Sequence, residues 1–179
     1  ALQTADKFPH ELSGGQRQRV AIARAVATGA KFILADEPIS MLDVSIRLGI
    51  LNLMMDMKED GIGFLYITHD IATARYFAER TGVMYVGHMV EWGESDSVTQ
   101  TPQHPYTQLL ISAVPEIGRQ RGIVNKDHTK NQIPLWTPAS LGCPFALRCP
   151  KVKPVCREKM PDVTQVADDH YVRCFAFTE

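Results

Sequence analysis

Three sets of residues in this chain could do chemistry. Leu12-Ser13-Gly14-Gly15-Gln16 stands in front of a run, Arg17 to Val26, that is rich in alanine and long side chains. Phe32-Ile33-Leu34-Ala35-Asp36-Glu37 is an apolar stretch that ends in two carboxylates. Cys143-x5-Cys149-x6-Cys156-x17-Cys174 holds all 4 cysteines. The first set suits an anion, the second a hard cation and an attacking water, and the third a soft metal or a cluster.

Each set needs an element to position it. Ser13 stands at a helix N-cap position and Gln16 three residues on, the capping-box spacing, and the residues behind them favour helix. A helix start leaves backbone N–H groups unpaired at the positive end of the macrodipole, and glycines without Cβ let a phosphate come close. Phe32 to Ala35 predicts a strand buried on both faces of a parallel sheet. Ligands gather at the carboxyl ends of such strands, where Asp36 and Glu37 stand. Asp36 suits magnesium as an oxygen donor, and Glu37 suits orienting or deprotonating a water. Val44 to Asp60 predicts a helix with Leu48, Leu51 and Met55 on one stripe and Gly61 as its stop. Gly63 to Thr68 predicts a second buried strand, which places His69 at a second strand end. A helix over Ile71 to Arg80, a strand over Gly82 to Val86 and a return hairpin through Gly93 follow. Pro105 suits the first turn of a further helix through Ile111. A capped helix, or two acids before Pro38, would explain either motif alone. Together, in this order, they describe part of a nucleoside-triphosphate site.

In these residues the chain resembles the ATP-binding subunits of ABC transporters. Leu12 to Gln16 matches the signature motif, Phe32 to Glu37 the Walker B strand with its glutamate, and Ile39-Ser40-Met41-Leu42-Asp43 the D-loop, with departures at Ile39 and Met41. His69 matches the switch histidine. The resemblance implies that Ser13, Gly14, Gly15 and Gln16 contact, in trans, the γ-phosphate of ATP held by a second ATPase subunit. It implies that Asp36 holds magnesium, that Glu37 activates water, that His69 senses the γ-phosphate and that Asp43 acts at the dimer interface. The implied fold class is α/β, the C-terminal part of a P-loop-type ABC ATPase domain with a parallel sheet and flanking helices. The implied cofactors are ATP and Mg2+. The implied partners are the second ATPase subunit, transmembrane permease subunits and, indirectly, an extracellular solute-binding protein.

No Gly-x-x-x-x-Gly-Lys-Ser/Thr loop occurs in the chain; Gly82 to Gly87 is followed by His88-Met89 and opens a strand. The expectation is therefore a C-terminal part of a longer subunit, which alone hydrolyses no ATP because nothing in it neutralises the β-phosphate. Strands that normally flank Phe32–Ala35 are missing as well. Unpaired apolar edges favour aggregation, so another segment or chain is expected to supply them.

The net charge of −1 gives no basic footprint for nucleic acid. No stretch approaches the ~20 apolar residues of a membrane span, and the expected location is cytoplasmic, peripheral on the inner face of the cell membrane. The expected domains are 1–113 as partial ATPase, 114–140 as linker with Arg119, Arg121, Lys126 and Lys130 as a solvated run, and 141–179 as a four-cysteine extension. Thiols clustered in one short segment of a cytosolic protein argue for metal or cluster over disulfides. Four thiolates suit zinc or an iron–sulfur cluster, and the absence of a Cys-x2-Cys pair counts against zinc. Either would staple a tail too short to build its own core. His104-Pro105-Tyr106-Thr107, with Gly142-Cys143-Pro144-Phe145, resembles the oligopeptide and dipeptide branch of the family, which carries such extensions. For Cys143, Cys149, Cys156 and Cys174 that resemblance implies a 4Fe–4S cluster. Two rival readings stay open here: a soluble, non-transport ABC ATPase, and a non-catalytic module built round the cysteines.

Overall fold

The computed structural model describes residues 5–114, 137 and 140–178. The chain divides into two compact units, Ala1–Asp70 and Ile71–Glu179.

In the first unit, helix α1 (Gly14–Ala27) starts at the Ser13 N-cap with both capping-box hydrogen bonds in place. Strand β1 (Phe32–Asp36), helix α2 (Val44–Glu59) and strand β2 (Gly63–Ile67) follow. Strands β1 and β2 pair in parallel, from Phe32 opposite Gly63 to Asp36 opposite Ile67. Gly15 is the close-packing point, because a Cβ there would lie 2.6 Å from Cγ2 of Ile46 on α2. Helix α2 buries Ile50, Leu51, Met54 and Met57. Leu48, expected on the apolar stripe, lies off that face and is half exposed. Gly61, at φ +87°, stops the helix as expected.

The expectation of a strand buried on both faces needs correcting. Phe32 and Leu34 are 60% and 62% exposed, and Leu65 and Ile67 on β2 are 48% and 43% exposed. Exposure alternates along β1, with Ala35 buried and Phe32 and Leu34 open, so among the described residues one face of this two-stranded sheet is covered and the other is not.

In the second unit, helix α3 (Ile71–Phe77) ends short of the expected Arg80, which instead begins strand β3 (Arg80–Tyr85). Strand β4 (His88–Glu94) returns antiparallel through a two-residue loop, with Val86 at φ 48° and Gly87 at φ 76°. Two left-handed residues make the turn whose twist suits a hairpin. Helices α4 (Ser95–Gln100) and α5 (Pro105–Ser112) follow. Strands β5 (Thr164–Ala167) and β6 (His170–Val172) then join the hairpin in the order β3-β4-β6-β5. Val83, Tyr85, Val90, Val98 and Phe145 form the core, with Tyr106, Leu109 and Leu110 packed against it. The expected linker lies almost wholly outside the described residues, as do Arg119, Arg121, Lys126 and Lys130.

Candidate functional site

The first unit carries the nucleotide-type residues. Oγ of Ser13 accepts from the Gln16 N–H at 3.3 Å, and Oε1 of Gln16 accepts from the Ser13 N–H at 3.0 Å. The first intrahelical bond runs from the Arg17 N–H to the Ser13 carbonyl. The N–H groups of Gly14 and Gly15 thus precede the helical ladder, where an anion could take them. A Cβ on Gly14 would come within 3.1 Å of Leu42, so this helix start packs beside the segment that carries Asp43. Asp43 occupies the N-cap position of α2 with no side-chain cap bond. Met41, one of the two departures from the D-loop pattern, is fully exposed at φ 60°, whereas Ile39 is buried.

Asp36 is the last residue of β1 and Glu37 follows it. The parallel ladder runs one bond further, from the Glu37 N–H to the Ile67 carbonyl at 2.9 Å. That bond holds Glu37 beside the end of β2, where the chain continues to His69. Glu37 lies at φ 44°, in the left-handed region that a glutamate rarely occupies. Nδ1 of His69 is 3.1 Å from Oε1 of Glu37. The side chains are 76% and 46% exposed, so the pair adds little stability. An outlying backbone conformation and a solvent-open pair thus stand together at the carboxyl ends of adjacent parallel strands, where ligands gather in open α/β sheets.

The second unit carries the thiols. Cys143, Cys149, Cys156 and Cys174 all line one small cavity. The thiols are free of disulfides. Among the described residues no group of three or more His, Cys, Asp or Glu side chains is arranged to hold a metal ion. Sγ of Cys156 accepts from the Lys153 N–H at 3.4 Å, and the backbone of Phe145, Lys151 and Ala176 partly offsets the effect of burial on Cys143, Cys149 and Cys174. Burial, and then the neighbouring thiols, push Cys143 up to about 11 and raise Cys149 and Cys174. Raised in this way, Cys143, Cys149 and Cys174 are held as neutral thiols. Gly142, at φ 87°, is required there, since a Cβ would lie 2.6 Å from the Cys156 carbonyl oxygen. That approach lets the Cys143 N–H donate to the same oxygen at 2.7 Å.

Sequence reasoning missed a buried polar network beside this cavity. Glu91 is fully buried on β4. Its Oε1 accepts from the Gln103 N–H at 2.7 Å and lies 2.7 Å from Nε2 of His170, while its Oε2 accepts from the His104 N–H at 2.9 Å. His104 caps α5, with Nδ1 accepting from the Tyr106 N–H at 3.1 Å, and its ring lines the thiol cavity. Burial pushes His104 down to about 4 from its ordinary 6.5. The one signal available in the sequence was a lone carboxylate inside Val90-Glu91-Trp92, a charge that an apolar strand buries only with partners.

Residues 90–156 match the family model for the oligopeptide/dipeptide transporter C-terminal region, and residues 2–40 match the model for ABC transporters. The oligopeptide transport ATP-binding protein AppF of Bacillus subtilis is 42% identical over 177 residues, covering 97% of this chain and 54% of that protein. The dipeptide transport ATP-binding protein DppF of Haemophilus influenzae is 39% identical over 173 residues, covering 95% and 52%. The chain thus spans about half the length of the curated relatives it matches. Among solved structures, MJ1267, an ATP-binding cassette of an ABC transporter, is 29% identical with a TM-score of 0.55, over 61% of this chain and 44% of that one.

Proposed function

The chain belongs to the oligopeptide/dipeptide branch of the ATP-binding subunits of ABC transporters, and on that premise we propose that it supplies the water-activating and trans-acting half of an ATPase site powering import of peptides or related solutes. Glu37 orients the attacking water and takes its proton, and His69 hydrogen-bonds the γ-phosphate. Asp36 would supply an oxygen ligand to magnesium, and the ion when bound would offset charge on the transferring phosphoryl group. The N–H groups of Gly14 and Gly15, with Ser13 and Gln16, meet the γ-phosphate of ATP held by a second ATPase subunit, and Asp43 acts at that interface. The phosphate-cradling lysine loop belongs to chain outside these residues. Two such subunits, closing and opening beneath permease subunits on the cytoplasmic face of the membrane, make the motor. A solute-binding protein selects the cargo.

The observation that carries this reading is the 3.1 Å approach of His69 to Glu37, at the carboxyl ends of neighbouring parallel strands. In the complete subunit, Glu37→Gln should lower ATP turnover by roughly 10²–10⁴-fold, the range of a general base, and should trap an ATP-bound dimer. Wild-type turnover in that variant would overturn the assignment.

Cys143, Cys149, Cys156 and Cys174 form the ligand set of a structural iron–sulfur cluster in this proposal. What supports it is four cysteines lining one cavity, one of which, Cys156, accepts a backbone N–H from Lys153. Iron and acid-labile sulfide in anaerobically purified subunit are the expected finding. One zinc per chain with no sulfide would replace the cluster with a zinc staple.

A further inference from the structure

We infer that Met41, with Val44 and Leu48 on α2, forms an apolar ridge that seats on the second ATPase subunit, with Met41 as its anchor. The inference rests on the nucleotide-site reading above and adds the side chains that hold the pair together. Single apolar side chains on a surface are ordinary, but here three stand close along the chain. Met41 is fully exposed, Val44 largely so and Leu48 half. Val44 and Leu48 lie one turn apart on α2, off the face that buries Ile50, Leu51, Met54 and Met57. Met41 holds its backbone at φ 60°, a left-handed conformation that costs a residue with a Cβ. Its own side chain does not offset that cost, because, fully exposed, it packs on none of the described residues. The loop is braced from within instead. The Ser40 N–H donates to the Glu37 carbonyl at 3.1 Å, Nε of Arg47 donates to the Leu42 carbonyl at 2.7 Å, and Ile39 is buried. Met41 is thus presented to solvent from a fixed turn between Glu37 and Asp43. A Cβ on Gly14 would come within 3.1 Å of Leu42, so the residue next to Met41 packs on the helix start assigned to the other subunit's ATP. That continuity makes the second subunit the occupant, ahead of a segment of the same chain.

Substitutions at Met41 separate docking from folding. The complete subunit, carrying Glu37→Gln to hold ATP unhydrolysed, is purified with the ATPase subunit it pairs with. Dissociation of the pair on dilution is then followed by analytical ultracentrifugation in ATP and Mg2+. Met41→Gly should weaken pairing about tenfold, the lower end for uncovering one apolar side chain of this size. Its urea midpoint without ATP should be no lower than the parent's, since glycine suits φ 60° and no packing within the chain is lost. Met41→Leu, apolar and of similar volume, should pair within about twofold of the parent. Val44→Thr, which exchanges a methyl for a hydroxyl, should weaken pairing by a smaller factor. Pairing equal to the parent's in both Met41→Gly and Val44→Thr would overturn the inference and leave the nucleotide site standing. A Glu37→Gln parent that forms no ATP-dependent pair would overturn the inference and the trans-acting reading together. A lowered urea midpoint with unchanged pairing, or a Met41→Gly subunit that does not fold, would assign the ridge to the subunit's own interior and overturn the inference alone.

Discussion

The two units keep their chemistry in opposite ways. In the first, Glu37 and His69 lie open to solvent, next to strands whose Phe32, Leu34 and Leu65 are about half exposed or more. In the second, Glu91, His104 and His170 are sealed from water, and the four cysteines, three of them half-buried, line one cavity. Open, motif-borne groups suit a site that a second molecule completes. Sealed groups that reach across 79 residues, as Glu91 and His170 do, suit a part whose task is to hold a shape.

This contrast can be broken at Glu91. Glu91→Ala removes an acceptor that serves two backbone N–H groups and the His170 ring, and loss of one partner from a buried pair costs about 3–5 kcal/mol. Urea denaturation of the complete subunit should show that loss; a change under 1 kcal/mol would mean the network is not what secures the unit. A somewhat smaller effect concerns pH. The folded state depresses His104 to about 4 from 6.5, so the unfolded chain binds the proton first. Stability is complete above pH 6.5 and falls as pH drops toward about 4, by up to ~3 kcal/mol for this group. His104→Asn should flatten that part of the stability–pH curve, and an unchanged slope would assign it to other groups. The smallest effect belongs to the open unit. Ser13→Ala removes the cap of α1 and should cost ~1 kcal/mol, seen as a small fall in the urea midpoint, while ATP turnover falls further if Ser13 meets a γ-phosphate in trans.

The open unit was largely legible in the sequence because its signals are contiguous. The capping box of Ser13 and Gln16, the parallel strands ending at Asp36 and Ile67, and the helix stop at Gly61 stand where local rules put them. Its misreadings share a cause. The exposure of Phe32 and Leu34, and the turn of α2 that leaves Leu48 outside, depend on what packs against an element, and periodicity is silent on that. The sealed unit was legible only as a set. Four thiols in one segment raised the expectation of a shared ligand, but gave no sign of the Lys153 N–H on Cys156 or of the need for Gly142 beside them. Glu91 read as one acid in an apolar strand, since its partners at 103, 104 and 170 are assembled by the fold.

Strand β6 sits between β4 and β5, and the ring of His170 rests on Glu91. A protein shortened ahead of residue 164 would therefore lose more than a peripheral ornament. It would bare Val90 to Gly93 of β4 to pairing with foreign strands and leave the buried Glu91 side chain one partner short. Such a truncate would reach the cell as a substrate for chaperones and proteases, and a defect mapped to the last residues would masquerade as a failure of the motor.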